Sequence, residues 1–202
     1  MKLLVISSPG QVNNEPNIIN KLFKSGLQYF HIRKPEDNEE QVKTLISGIY
    51  PEFYSRLAIH QHHGLAEKFK IKRLHFTESE RKKQSRNALR RLTDNGFNLS
   101  TSIHDLALLP SLEDYKYVFF GPVYDSISKP GYKSELERGF KINNTSQTPL
   151  IIAIGGICAD KLDSIKKMNF DGAAVLGSIW KNSEEAVRNF ETLQKCLKSA
   201  HT

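Results

Sequence analysis

The chain has 202 residues, 39% hydrophobic and 25% charged, enough to bury a core of its own, which excludes a mini-fold stapled by disulfides or metal. Its two cysteines, Cys158 and Cys196, stand far apart and lack any Cys-x-x-Cys or Cys/His ligand spacing, so no disulfide framework or structural zinc site is expected. Twenty-nine Lys and Arg against twenty-two Asp and Glu give a formal charge of +7, which favours anionic partners such as phosphorylated metabolites or nucleic acid.

In chain order, the opening Met1 to Pro9 begins like a secretory leader. Its apolar run is too short and Asn13, Asn14 and Glu15 follow, so it reads as the first strand of a cytoplasmic protein. Short β-branched or aromatic runs predict strands over 3–7, 28–33, 56–60, 73–76, 98–102, 117–121, 150–154 and 172–176. Between and after them, apolar residues at i, i+3 and i+4 spacing predict helices, for example over 18–25, 39–49, 159–168 and 183–198. No apolar run approaches the ~18 residues of a bilayer span, so no membrane association is expected.

Eight strands alternating with helices predict an α/β fold: a closed, parallel (β/α)8 TIM barrel forming a single domain over 1–202. A doubly wound open sheet is the competitor. It would place a glycine-rich turn after the first strand, where Ser7-Ser8-Pro9-Gly10-Gln11 shows neither G-x-G-x-x-G nor a Walker pattern.

In a barrel the chemistry sits where strands end. Predicted strand ends carry His31-Ile32-Arg33-Lys34, His60-Gln61-His62-His63, His75 with Thr77, and Ser102-Ile103-His104, so six of the seven histidines fall at or just beyond them. Ile154-Gly155-Gly156 and Leu176-Gly177-Ser178 follow the last two strands. Such turns expose amides to an anion, and barrels frequently build phosphate sites from these two loops; tight strand-to-helix turns alone would also use the glycines. His104 could move a proton near neutral pH or simply bond the backbone at a helix start. After the sixth strand, Lys129 could neutralise a phosphate with Ser126 and Ser128 donating, or belong to a solvated loop with Pro130-Gly131.

The His60 to His63 run is not expected to bind metal. Neighbours on a strand point to opposite faces, so at most two of its histidines could share a centre without help from elsewhere. Arg81-Lys82-Lys83, Arg86, Arg90 and Arg91 form a basic helical stretch with no interleaved aromatics, which reads as a solvated outer face rather than a nucleic-acid surface.

The order of these motifs resembles the thiamine phosphate synthase family, which includes the TenI-type thiazole tautomerases. The resemblance runs from Met1 to about Trp180 and rests on His31-Ile32-Arg33, Ser102-Ile103-His104, Gly121-Pro122-Val123 through Ser126-Ile127-Ser128-Lys129, Ala153 to Ile157, and Gly172 to Ser178. It implies a barrel that binds a small phosphorylated thiazole through Gly155, Gly156, Gly177 and Ser178. Ser102, Ser126, Ser128 and Lys129 would form the pyrophosphate and substrate loop, and His104, His31 and Arg33 the catalytic set.

The family's two activities make different demands. A synthase joins the thiazole phosphate to an aminopyrimidine diphosphate with loss of pyrophosphate, and needs Mg²⁺ and cations for the leaving group. Pro35 stands where the family's strand-two motif has a lysine, His60 and Gln61 replace its strand-three Asn-Asp pair, and Glu80 marks the place of a second metal carboxylate. A tautomerase only moves protons to aromatise a carboxythiazole phosphate and needs no cofactor. His104 matches its acid/base position, and His31 also fits its form better. The expectation is therefore a thiamine-biosynthesis enzyme, favoured as a thiazole tautomerase with no cofactor and no metal. The alternatives are a Mg²⁺-dependent synthase, for which Glu80 would serve the metal, and a non-catalytic phosphate-binding regulatory barrel. The expected partner is the small-molecule substrate, with no nucleic acid and no membrane; homo-oligomers stay open.

Overall fold

The computed structural model describes residues 1–125, 136, 139–143 and 149–199. Eight parallel strands close into a barrel in sequence order: β1 (Lys2–Ile6), β2 (Tyr29–Ile32), β3 (Leu57–Ile59), β4 (Arg73–Phe76), β5 (Asn98–Ile103), β6 (Tyr117–Phe120), β7 (Leu150–Ile154) and β8 (Gly172–Val175). β1 pairs with β2 on one side and β8 on the other, with Leu4 opposite both Tyr29 and Ala174. The expected fold is the observed one. Five strands stop short of the residues assigned to their ends, so that Ser7, Arg33, His60, Gly121 and Leu176 begin the loops, while β5 runs on to Ile103. An apolar run does not reveal where ladder pairing stops.

Among the described residues, eight α-helices surround the barrel: α1 (Glu15–Lys24), α2 (Glu39–Ser47), α3 (Leu65–Lys68), α4 (Glu78–Arg81), α5 (Arg86–Asp94), α6 (Leu162–Lys167), α7 (Gly177–Trp180) and α8 (Ala186–Ser199). Helix α1 begins earlier than its apolar periodicity suggests because Pro16 sits in its first turn, where a missing N–H costs nothing. Asn38 and Gln41 form a reciprocal capping box that starts α2. The basic stretch is not one helix: Ser85 accepts the Ala88 amide and starts α5 separately from α4. No helix among the described residues is long and apolar enough to cross a membrane.

Strand alternation sorts the core into two parts. Phe30, Ile32, Leu57, Ile59, Leu74, Val118 and Val175 face the helices within the large outer core. Leu4, Ile6, Tyr117, Phe119, Ile152 and Ala174 fill the barrel. One half of the interior departs from the bulky apolar filling usual for such barrels, because His31, His60, His75 and Ser100 are buried there.

Two side chains, Trp180 and Lys34, fix the loops at the strand ends. Trp180 of α7 donates its indole N–H to the Ile6 carbonyl at 2.6 Å. Lys34, buried after β2, reaches Glu15 Oε2 at 2.5 Å and the Gly10 carbonyl at 2.8 Å, tying the β1–α1 loop to the end of β2. Burial pushes the Glu15 carboxyl above its ordinary range, more strongly than the Lys34 partnership lowers it.

Candidate active site

The carboxyl ends of the strands enclose a cavity of about 290 Å³. Ile6, Phe119, Ile154 and Ala174 give it an apolar base, Arg33, Ser102 and His104 stand on one side, and Gly155, Gly156, Gly177 and Ser178 on the other. Seven residues singled out in the sequence therefore meet in one cavity. Ser126, Ser128 and Lys129 lie outside the described residues, as does most of the stretch from Pro130 to Arg138.

His104 directly follows β5, and its Nδ1 lies 2.5 Å from the Gly121 carbonyl oxygen. A carbonyl only accepts, so Nδ1 carries the hydrogen and a neutral His104 keeps its lone pair on Nε2. That nitrogen is 3.9 Å from Glu78 Oε2, beyond hydrogen-bond reach. Lys82 bonds the same carboxylate at 2.8 Å and holds Glu78 below the usual carboxylate range. Glu78 belongs to none of the motifs singled out above; its sequence signal is the Thr77-x-x-Glu80 capping pattern, which starts a helix just past β4 and brings Glu78 to the β5 end.

Arg33 is held by its backbone: its N–H donates to Ser7 Oγ at 2.8 Å, and that hydroxyl donates back to the Arg33 carbonyl at 2.9 Å. Its guanidinium has no carboxylate partner among the described residues. Across the cavity, Gly155 and Gly156 have φ of 101° and 61°, in the left-handed region that side chains disfavour. A Cβ on Gly156 would stand 2.4 Å from the Asp125 carbonyl oxygen. These two glycines thus serve the turn and its packing as well as lining the cavity. Gly177 differs, since a Cβ there meets nothing within 4 Å. The Ser178 hydroxyl beside it is buried with no partner among the described residues, a donor free for a ligand.

His31 does not line the cavity. It and His75 are the penultimate residues of β2 and β4 rather than strand-end residues, and both point into the barrel with His60. His31 Nδ1 is 2.9 Å from His60 Nε2, and His31 Nε2 is 2.8 Å from the Tyr117 hydroxyl. His75 bonds Ser100 at 3.0 Å and Ser102 at 3.1 Å through its two nitrogens, and stacks on His60 with ring centroids 4.0 Å apart. Burial drives all three imidazoles toward the neutral form, with His31 lowered to about 3 and His60 and His75 held well below the ordinary value. Burial likewise pushes the Tyr117 phenol up to about 12. Tertiary assembly supplies the help from elsewhere that the His60 to His63 run lacks: only His60 of that run joins the cluster.

Glu80 is engaged locally. Its Oε2 accepts the Thr77 amide at 2.9 Å and the Thr77 hydroxyl at 2.8 Å. On the outer surface Arg86 pairs with Glu113, and Lys82 with Glu78.

These features define a (β/α)8 barrel with its candidate site at the carboxyl ends of the strands. The chain belongs to the thiamine monophosphate synthase family, whose model matches residues 3–179. Among solved structures it is similar to a thiamine phosphate pyrophosphorylase from Bacteroides thetaiotaomicron, at 25% identity and a TM-score of 0.73 over 98% of each chain. A thiamine phosphate pyrophosphorylase from Pyrococcus furiosus shares the fold at 15% identity and a TM-score of 0.73, over 98% of this chain and 96% of that one. A 3-hexulose-6-phosphate synthase shares it at 11% identity and a TM-score of 0.62, over 97% and 99%. No relative is found among curated proteins.

Proposed function

We propose that this member of the family is a thiazole phosphate tautomerase whose acid/base group is His104. The observation that carries the reading is the tautomer of that residue: with Nδ1 bonded to the Gly121 carbonyl, Nε2 is the proton acceptor on a wall of the cavity. Nε2 takes the ring proton of a non-aromatic carboxythiazole phosphate and returns a proton to the exocyclic carbon, so the net change is an isomerisation. The Arg33 guanidinium, without a carboxylate partner among the described residues, suits the substrate carboxylate. The phosphate falls to the glycine-loop amides and the Ser178 hydroxyl, and the apolar base of Ile6, Phe119 and Ala174 suits the ring.

The donor set disfavours synthase chemistry through Mg²⁺. A hard dication needs oxygen ligands, carboxylates above all. At the positions the resemblance gives to the metal ligands stand Gln61, a neutral amide, and Glu80, engaged in a helix cap. Lys34 does not replace the lysine displaced by Pro35, because Glu15 neutralises it away from the cavity. The synthase remains the second reading, favoured by the family match itself and by the Bacteroides thetaiotaomicron pyrophosphorylase.

The test supplies the non-aromatic thiazole isomer in deuterated water and follows aromatisation and deuterium uptake. His104→Gln is expected to slow both by roughly 10²- to 10⁴-fold, the usual contribution of one acid/base group. Unchanged turnover in that variant would remove the assignment.

A further inference from the structure

The three imidazoles inside the barrel have no part in the chemistry above, yet they occupy positions that branched apolar side chains normally fill. A buried polar cluster is costly unless fully partnered, and this one is not. His60 Nδ1 is buried without any partner among the described residues. One ligand nitrogen from each of His31, His60 and His75 lies within 4.8 Å of the other two. We propose that His31, His60 and His75 form a binding site for a late divalent transition metal of the zinc class.

Tetrahedral zinc with metal–nitrogen bonds of about 2.0–2.1 Å holds its nitrogens about 3.4 Å apart. His31 Nδ1 and His60 Nε2 already stand at 2.9 Å, so the ion takes the place of the hydrogen they share, and modest side-chain rotation brings in the third imidazole. Two of the three outer groups are in place, at His31 and His75, while with the ion on His60 Nε2 the His60 Nδ1 has no acceptor among the described residues. A metal-bound histidine ordinarily donates its other ring N–H to a fixed acceptor; the Tyr117 hydroxyl is 2.8 Å from His31 Nε2, and Ser100 and Ser102 flank His75. The cavity lies next to the cluster: Ser102, which bonds His75, lines it. The chemistry of the donors selects the ion: neutral nitrogen ligands suit zinc, cobalt, nickel and copper and do not suit Mg²⁺ or Ca²⁺.

The experiment titrates the full, EDTA-stripped chain with Co²⁺, reading the visible d–d bands, followed by displacement with Zn²⁺. Saturation at one equivalent is expected, at least tenfold weaker in His60→Gln and His75→Gln and unchanged in His62→Asn, a control at a neighbouring histidine outside the cluster. Tyr117→Phe removes only an outer contact, and a loss of tenfold or more is expected there too. This variant decides the matter if the histidine variants fail to fold. Absence of a band at saturating Co²⁺, undiminished binding in the cluster variants, or loss of binding in His62→Asn would overturn the site. The measurement reads binding alone, so its outcome is independent of the tautomerase reading.

Discussion

At the scale of single residues, the cavity separates glycines that shape the protein from one that is open to a ligand. Gly156 sits at a φ of 61° with a carbonyl oxygen 2.4 Å from where its Cβ would be. Gly156→Ala is therefore expected to cost about 1–3 kcal/mol of stability in a denaturant titration, the range for a strained left-handed residue. Gly177→Ala has free space for the methyl group and should fold within about 0.5 kcal/mol of the parent. The same change crowds the amides assigned to the phosphate, and thiazole phosphate affinity measured by calorimetry should fall about tenfold, as for one lost charge-assisted hydrogen bond. Unchanged affinity would move the phosphate elsewhere. Gly155 and Gly156 are legible in the sequence because few residue types tolerate their left-handed backbone. Glu78 is legible only in part: the Thr77-x-x-Glu80 capping pattern marks the start of its helix, but its approach to His104 depends on how α4 packs beside β5.

Among the elements, the Lys34 and Glu15 pair joins α1 to the end of β2 with side chains 1% and 4% exposed. Removing one partner strands a buried charge. Lys34→Met should destabilise by about 3–5 kcal/mol in urea unfolding, and Glu15→Leu combined with Lys34→Met should restore most of the loss. A small effect of the single change would mean that the pair is better solvated than its geometry shows. Strand existence is legible at this scale because β-branched runs recur between helical stretches. The split of the basic stretch into α4 and α5 is not, because charge density masks the Ser85 cap. Nor is the inward direction of His31 and His75, because a strand's parity is fixed only by its register with both neighbours.

For the molecule as a whole, a half-polar barrel interior makes stability depend on pH. The unfolded chain protonates its histidines near pH 6.5, whereas folded His31 stays neutral down to about 3 and His60 and His75 to well below the ordinary value. Below pH 6.5 the unfolded state binds more protons, so stability is complete above that pH and falls as the solution is acidified. Each histidine contributes up to about 1.4 kcal/mol per pH unit, about 4 kcal/mol for the three together. Urea midpoints in EDTA between pH 7.5 and 5 should drop accordingly, and a flat profile would show that the cluster is already charged or solvated.

The same scale carries the division between the family's two activities, since a synthase needs the strand-two and strand-three ends as well as the glycine loops. The most direct measurement is thiamine phosphate formation from aminopyrimidine diphosphate, carboxythiazole phosphate and Mg²⁺, with this protein as the sole enzyme and a known synthase as control. The tautomerase account predicts no product, while the non-aromatic isomer is aromatised in a parallel reaction. Thiamine phosphate formed at a rate comparable to the control would contradict it and show that Pro35, His60 and Gln61 do not disable synthase chemistry.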